Sequence, residues 1–232
     1  MNSKFLFSSA VLSLLAVSAT VSAADFVPGA YVLGGAGVTR YDLDFSGQVR
    51  NAYAGSGFGV NSATREDHND AGFQIGGGYQ FLPWLGVELA YVDLGKQETD
   101  YSVTPTNGGT TTRRHGDYKL HGLNASAVGT YPLTEKFSIF GKVGVFHSRL
   151  KYTESSSTPY PGSTNTSFAA DDDRQTKASF GLGAAFKANE KISIRAGWDR
   201  VQNIGENFAL TATGNGQFSH VDFYSVNVLY HF

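Results

Sequence analysis

The chain has 232 residues and a formal net charge of −2, so it lacks the basic excess that a nucleic-acid partner requires. It contains no cysteine, which excludes disulfides and thiolate chemistry. Glycine is abundant at 28 residues and only 16% of the residues are charged, a mixture typical of a closed sheet with interfacial aromatics.

The N-terminal segment has the three parts of a secretory signal peptide. Lys4 precedes an apolar run, and small residues close the segment at Ala23. The run is shorter than the roughly 20 residues that a spanning helix needs. We therefore expect residues 1–23 to be a signal peptide and residues 24–232 to form one exported domain. No later segment is apolar enough for a spanning helix, so a membrane domain has to be a barrel.

Eight later segments have strand character. A tilted strand of about ten residues crosses an apolar band of about 25 Å, and each segment is at least that long. In chain order the predicted strands are Gly29–Tyr41, Ala71–Phe81, Leu85–Gly95, Tyr118–Tyr131, Phe137–Leu150, Lys177–Phe186, Ile192–Ile204 and Val221–Phe232. We expect each of them to cross a membrane once.

Short and long connections alternate between these strands. The short turns are Leu82–Trp84, Pro132–Lys136 and Lys187–Lys191, and the long polar connections are Asp42–Asp70, Lys96–Asp117, Tyr152–Thr176 and Gly205–His220. Transmembrane barrels have short periplasmic turns and long external loops. The alternation therefore predicts an all-β fold, an eight-stranded antiparallel transmembrane β-barrel with both termini on the periplasmic side.

Within the strands, lipid-facing and lumen-facing residues are expected to alternate. A charge that faces lipid at mid-strand costs about 2–4 kcal/mol for Arg or Lys, so charged residues there are predicted to point inward. The predicted lumen charges are Glu88, Lys142, Arg195 and Asp199. Two interpretations stay open for them, an ion gate and a structural polar core. The glycine-rich strand Gly29–Tyr41 leaves its own facing unassigned.

The last strand ends on an apolar aromatic residue. Every second residue back from the end is aromatic or β-branched, namely Phe232, Tyr230, Val228, Val226 and Tyr224. Termini in water usually fray, so this end is predicted to lie in a lipid interface. The five residues also resemble the terminal motif that the barrel-assembly machinery recognises, and they serve equally well as the lipid face of the strand.

Three segments carry a family resemblance. They are V-E-L-A-Y-V-D-L-G at Val87–Gly95, A-V-G-T-Y-P-L-T at Ala127–Thr134 and I-S-I-R-A-G-W-D-R-V-Q-N-I-G-E-N at Ile192–Asn207. Together they resemble the OmpA-type transmembrane domain. The resemblance implies charges inside the barrel whose salt bridges plug or gate a narrow path. Full-length members continue into a peptidoglycan-binding domain, which we do not expect beyond Phe232.

The resemblance can be carried over position by position. Glu88 matches the family's strand-3 glutamate, Lys142 its strand-5 arginine and Arg195 its strand-7 arginine. Val128 and Ala185 depart from the family, which has a strand-4 lysine and a strand-6 glutamate there.

The leading functional prediction is an OmpA-like structural and surface protein of a Gram-negative outer membrane, with at most a narrow, low-conductance pore. The alternative is an adhesin that binds a host surface ligand through the long loops Asp42–Asp70 and Tyr152–Thr176. Expected partners are outer-membrane lipid, lipopolysaccharide and, during insertion, the barrel-assembly machinery. We predict no catalytic, cofactor or metal site, because the neighbours His147 and Ser148 face opposite ways and the histidines lack metal-ligand spacing.

Overall fold

The computed structural model describes residues 28–42, 55–61, 69–204, 209–210, 214–215 and 220–232. The predicted signal peptide, residues 1–23, lies outside the described residues, as does much of the connections Asp42–Asp70 and Gly205–His220. No helix in the described part of the chain is long and apolar enough to cross a membrane.

Every regular element in the described ranges is a β-strand. The strands are β1 (Gly29–Asp42), β2 (Phe58–Asn61), β3 (Asn69–Leu82), β4 (Leu85–Pro105), β5 (Thr112–Pro132), β6 (Phe137–Tyr160), β7 (Ser163–Lys187), β8 (Ile192–Gln202), β9 (Ala209–Leu210), β10 (Gly214–Asn215) and β11 (His220–His231). Eight of them are long enough to cross a bilayer, and β2, β9 and β10 are short.

The eight long strands close into a ring. Antiparallel pairing runs in the order β4-β3-β1-β11-β8-β7-β6-β5, and β5 pairs back to β4. The first and last strands meet in register, with Tyr31 opposite His231 and Tyr41 opposite Val221. Closure satisfies the backbone of every strand within the ring, as a membrane-spanning sheet requires. The predicted eight-stranded antiparallel barrel is confirmed.

The outer face of the barrel carries the predicted apolar band. Lipid-facing Val87, Leu89 and Tyr91 on β4 alternate with buried Glu88, Ala90 and Val92. Aromatic side chains at the lower strand ends are exposed, namely Tyr79, Phe81, Trp84, Tyr131, Phe137, Tyr230 and Phe232. The structure also assigns the facing of the first strand: Tyr31 and Leu33 are buried in the lumen, and Val32 and Val38 face outward.

The predicted loops Lys96–Asp117 and Tyr152–Thr176 differ most from expectation, because most of their residues continue as strands. The hairpin of β6 and β7 stays paired up to Tyr160 opposite Ser163. Cross-strand hydroxyl pairs join these polar stretches, as in Thr112 Oγ1 to Thr158 Oγ1 at 2.8 Å. A polar, Ser/Thr-rich sequence predicts a loop. A strand that lies beyond the lipid, however, needs no apolar outer face. Four long strands therefore project as a sheet above the membrane band.

A β-bulge at Gly95 sets which residues of this projecting sheet face outward. Gly95 has a φ of +80°, a conformation that favours glycine, and the β4–β5 register shifts between Asp93 and Lys96. Below the bulge the even-numbered residues of β4 point into the lumen. Above it the alternation is reversed, so Lys96 is exposed and Gln97 is fully buried.

His115 provides a pH-dependent contact on the projecting sheet. Its Nδ1 lies 2.7 Å from Asp100 Oδ1 and its Nε2 lies 3.6 Å from Asp117 Oδ2. The hydrogen bond to Asp100 raises the pKa of His115 above 6.5. The protonated ring therefore stabilises the fold fully below the unfolded pKa, and this contribution is lost as the pH rises through the higher folded pKa.

We expect Asp100→Asn to lower the titration midpoint of His115. The histidine side-chain NMR signals of the refolded protein in detergent report that midpoint directly. Glu135→Gln, which changes an exposed carboxylate in the turn at the opposite end of the barrel, is the control and leaves the midpoint unaltered. An unchanged midpoint in Asp100→Asn contradicts the proposed hydrogen bond.

Candidate functional site

Four charged side chains meet inside the barrel. Glu88 projects from β4, Lys142 from β6, and Arg195 and Asp199 from β8. Arg195 Nη1 lies 2.7 Å from Glu88 Oε2, and Lys142 Nζ lies 2.8 Å from Asp199 Oδ1 and 3.7 Å from Glu88 Oε1. All four residues are at most 9% exposed. We call this group the charged layer. Its two carboxylates and two basic side chains together carry no net charge.

Two aromatic rings hold the charged layer in place. Tyr31 Oη donates a hydrogen bond to Glu88 Oε2 at 3.0 Å. The guanidinium of Arg195 lies 4.6 Å from the centre of the Phe140 ring, a cation–π distance. Glu88 thus accepts from both Tyr31 and Arg195, and the guanidinium is confined between an anion and an aromatic face. Sequence reasoning missed both rings: Phe140 shares the inward parity of Lys142, whereas the strand of Tyr31 has no assigned facing in the sequence.

Two lumen glycines make room for these rings. A Cβ at Gly78 would overlap the ring of Tyr31, and a Cβ at Gly183 would overlap the ring of Phe140. The close approach of ring to backbone therefore requires glycine at both positions. Small inward residues at these two positions thus allow the rings to pack.

The two departures from the family pattern lie directly beside the charged layer. Val128 is opposite Lys142 across β5 and β6, and Ala185 is opposite Arg195 across β7 and β8. Both positions are thus apolar where a charge would join the network. Asp199 supplies the second carboxylate.

An amide cluster extends the polar contacts around the lumen wall. Gln74 Nε2 donates to Asn227 Oδ1 at 2.7 Å, and Asn227 Nδ2 donates to Ser225 Oγ at 3.0 Å. All three residues are buried. These uncharged groups connect β3 to β11 at the level of the charged layer. Their role was not predicted, because amides and hydroxyls are too common in strands to be a signal.

Apolar side chains close the lumen on both sides of the charged layer. Toward the chain termini, Tyr31, Leu33 and Leu229 form a buried cluster. Toward the projecting sheet lies a larger cluster, which we call the upper apolar layer and which includes Val92, Leu94, Phe146, Val201, Val221 and Phe223. The side chains of the charged layer leave no gap between them that is wide enough for a water molecule. At the charged layer the described lumen is therefore closed.

The structure places the remaining predicted positions on separate surfaces. Tyr224, Val226, Val228, Tyr230 and Phe232 are all exposed, between 41% and 77%, on the lipid face beside β1 and β8. His147 is exposed and bonds to Thr176, whereas Ser148 is buried and bonds to the Gln175 carbonyl. The two side chains thus face opposite ways and cannot exchange a proton. Among the described residues, no group of three or more metal-ligating side chains occurs.

Sequence comparison places the chain beside outer-membrane proteins. The family model of the OmpA-like transmembrane domain matches residues 29–232. Outer membrane protein A of Klebsiella pneumoniae is 29% identical over 179 residues, and that of Salmonella typhi is 27% identical over 168 residues. The alignments cover 76% and 72% of this chain but 47% and 43% of the relatives. The chain therefore spans less than half the length of these curated relatives.

The chain also aligns with solved structures of outer-membrane proteins. Ail of Yersinia pestis, solved in complex with the heparin analogue sucrose octasulfate, aligns with a TM-score of 0.46 and 15% identity. Neisserial surface protein A aligns with a TM-score of 0.46 and 17% identity. Each alignment covers 89% of this chain and 100% of the other.

Proposed function

Because the chain belongs to the OmpA-like transmembrane-domain family and is an integral outer-membrane β-barrel, we propose that it is a structural surface protein whose lumen is closed at rest. The observation that carries this proposal is the stack of a charged layer between two apolar clusters. An eight-stranded lumen has room only for its own side chains, so any ion path is narrow and of low conductance at most. The opposed faces of His147 and Ser148 support a non-enzymatic role.

A second candidate function uses the projecting hairpin of β6 and β7 as an adhesin. The specific observation is that paired strands carry exposed Tyr160 and Phe168, 53% and 77% accessible, well beyond the lipid band. Exposed aromatic residues on a rigid support are frequent anchors in protein interfaces. A host surface ligand is the corresponding partner.

One shortened variant separates the two candidates. Glu154 is opposite Ala169, so residues 155–168 can be replaced by an Asn-Gly turn without shifting the register. We expect this variant to restore the detergent resistance of cells that lack the protein, because the ring within the membrane is untouched. Failure to restore it, with normal amounts of folded barrel, contradicts the structural function. Attachment to host cells falls if the hairpin is an adhesin, and unchanged attachment rejects that candidate.

We propose that the outward residues of β11, together with Phe232 directly after it, are also recognised by the barrel-assembly machinery. Phe232 supports this, because it is 77% exposed at the lower rim and contributes little to the lumen. We expect Phe232→Ala to reduce the amount of inserted protein in cells several-fold while leaving unassisted refolding in detergent unaltered. Leu133→Ala, an exposed turn residue at the same rim, is the control. Equal insertion of wild type and Phe232→Ala would falsify the proposal.

A further inference from the structure

Above the lipid band, the outward face of β4 to β7 carries like charges in opposed positions. The register puts Lys96 opposite Lys119, Lys119 opposite Lys151, and Arg149 opposite Arg174. Directly opposed side chains in an antiparallel sheet have Cβ atoms about 4.5–5.5 Å apart, and like charges there are destabilising. Three of these destabilising pairs lie side by side. Local losses of stability of this kind are expected at functional sites.

The neighbouring carboxylates neutralise this basic face only in part. Each already has a partner: Asp93 accepts from Gly95 N at 2.8 Å, Glu98 pairs with Lys96, Asp117 with His115, and Asp172 with Arg149. In the part of the chain that the structure describes, Lys119, Lys151 and Arg174 have no hydrogen bond or ion pair. Asp172 lies opposite Lys151 and its carboxylate also attracts Lys151 and Arg174, so one negative charge is shared among three cations. A net positive charge therefore remains at Lys119, Lys151 and Arg174 for an external anion.

The height of this face matches a lipid headgroup. On β6 the outward side chains are apolar or glycine from Phe137 to Val145, and the charges begin at Arg149. Twelve residues of tilted strand separate Phe137 from Arg149, a rise of about 30 Å against an apolar band of about 25 Å. Lys151 and its neighbours thus lie just above the acyl region, where the headgroups of the outer leaflet are found.

We propose that Lys119, Lys151 and Arg174 form a binding site for the phosphate groups of outer-leaflet lipid, namely the phosphorylated lipid A of lipopolysaccharide. Two lysines supply point charges on long stems, and the guanidinium supplies a planar fork that suits phosphate oxygens. Bound phosphate also offsets the repulsion between the opposed cations. The proposal rests on the outward orientation of the projecting sheet in the proposed function, but not on a closed lumen.

Lipid A binding to the refolded barrel in phosphatidylcholine nanodiscs tests this proposal. Native mass spectrometry measures the apparent Kd for wild type and for Lys119→Gln/Lys151→Gln/Arg174→Gln. We expect binding to the triple variant to be weaker by at least about tenfold, because charge-assisted contacts are lost. The control Lys136→Gln/Lys187→Gln/Lys191→Gln removes three exposed charges from the opposite end and leaves the Kd unchanged. Equal affinity of wild type and the outer triple variant overturns the proposal.

Two further arms identify the source of the phosphate. Dephosphorylated lipid A is expected to bind wild type as weakly as lipid A binds the triple variant, and tight binding of the dephosphorylated lipid overturns the site. Millimolar inorganic phosphate is expected to leave bound lipid A in place, and full displacement overturns the assignment to lipid.

In neutral detergent the triple variant should unfold at the same or higher urea concentration than wild type, because repulsion is relieved. Lys119→Gln alone provides the same comparison if the triple variant does not refold.

Discussion

Glu88→Ala is expected to lower the free energy of unfolding by about 3–5 kcal/mol, since it removes one partner of a buried ion pair. The change leaves Arg195 without its carboxylate at 2.7 Å and removes the acceptor of the Tyr31 hydroxyl. Lys142 keeps Asp199, so the loss falls mainly on the guanidinium. Urea unfolding of the refolded protein in lipid vesicles, followed by tryptophan fluorescence, measures the change.

Two companion variants make the Glu88 result specific. Glu88→Gln keeps an oxygen that can accept from Arg195 and Tyr31, so we expect a smaller loss than in Glu88→Ala. Glu135→Ala removes a carboxylate from an exposed turn and should change stability by no more than about 0.5 kcal/mol. If Glu88→Ala unfolds at the same urea concentration as Glu135→Ala, the charged layer does not stabilise the barrel.

Phe146→Ala is expected to cost a similar amount, about 3–5 kcal/mol, for a different reason. Phe146 is 1% exposed in the upper apolar layer, where it packs within the ring of strands rather than against lipid. Truncation leaves a cavity that the surrounding strands cannot close, because their spacing is held by the barrel hydrogen bonds. The same urea titration reports the loss.

A surface phenylalanine provides the matched control for Phe146. Phe168 is 77% exposed on the projecting hairpin, so Phe168→Ala should leave the urea midpoint almost unaltered. Comparable destabilisation by the two changes would show that the upper apolar layer is not a packed core. The layer would then not be the second barrier that the structural function requires.

Alternation along single strands predicted more of this protein than any motif did. Inward Glu88, Lys142, Arg195 and Asp199 follow from strand parity together with the cost of a charge in lipid. The order of short and long connections then predicted the antiparallel ring, because each turn determines which strands are neighbours. Parity assigns a face to each residue, but it does not show which residues of neighbouring strands lie at the same height in the barrel.

The remaining features depend on register, which the sequence pattern left open. The approach of Phe140 to Arg195 and of Tyr31 to Glu88 depends on how far neighbouring strands are staggered. The bulge at Gly95 reverses the facing of all later residues on β4, an effect invisible to a period-two count. The sequence predicts loops for the polar extensions because strand signals rely on apolar residues, which a strand above the membrane does not need.

The single-channel current of the refolded wild-type barrel in a planar lipid bilayer is the most direct test of a closed lumen. A barrel sealed by both the charged layer and the upper apolar layer carries no resolvable current, and Glu88→Gln remains silent because the apolar layer is intact. Regular current steps from correctly folded wild-type protein would contradict the account, since ions would then be crossing a lumen in which every described gap at the charged layer is too small for water.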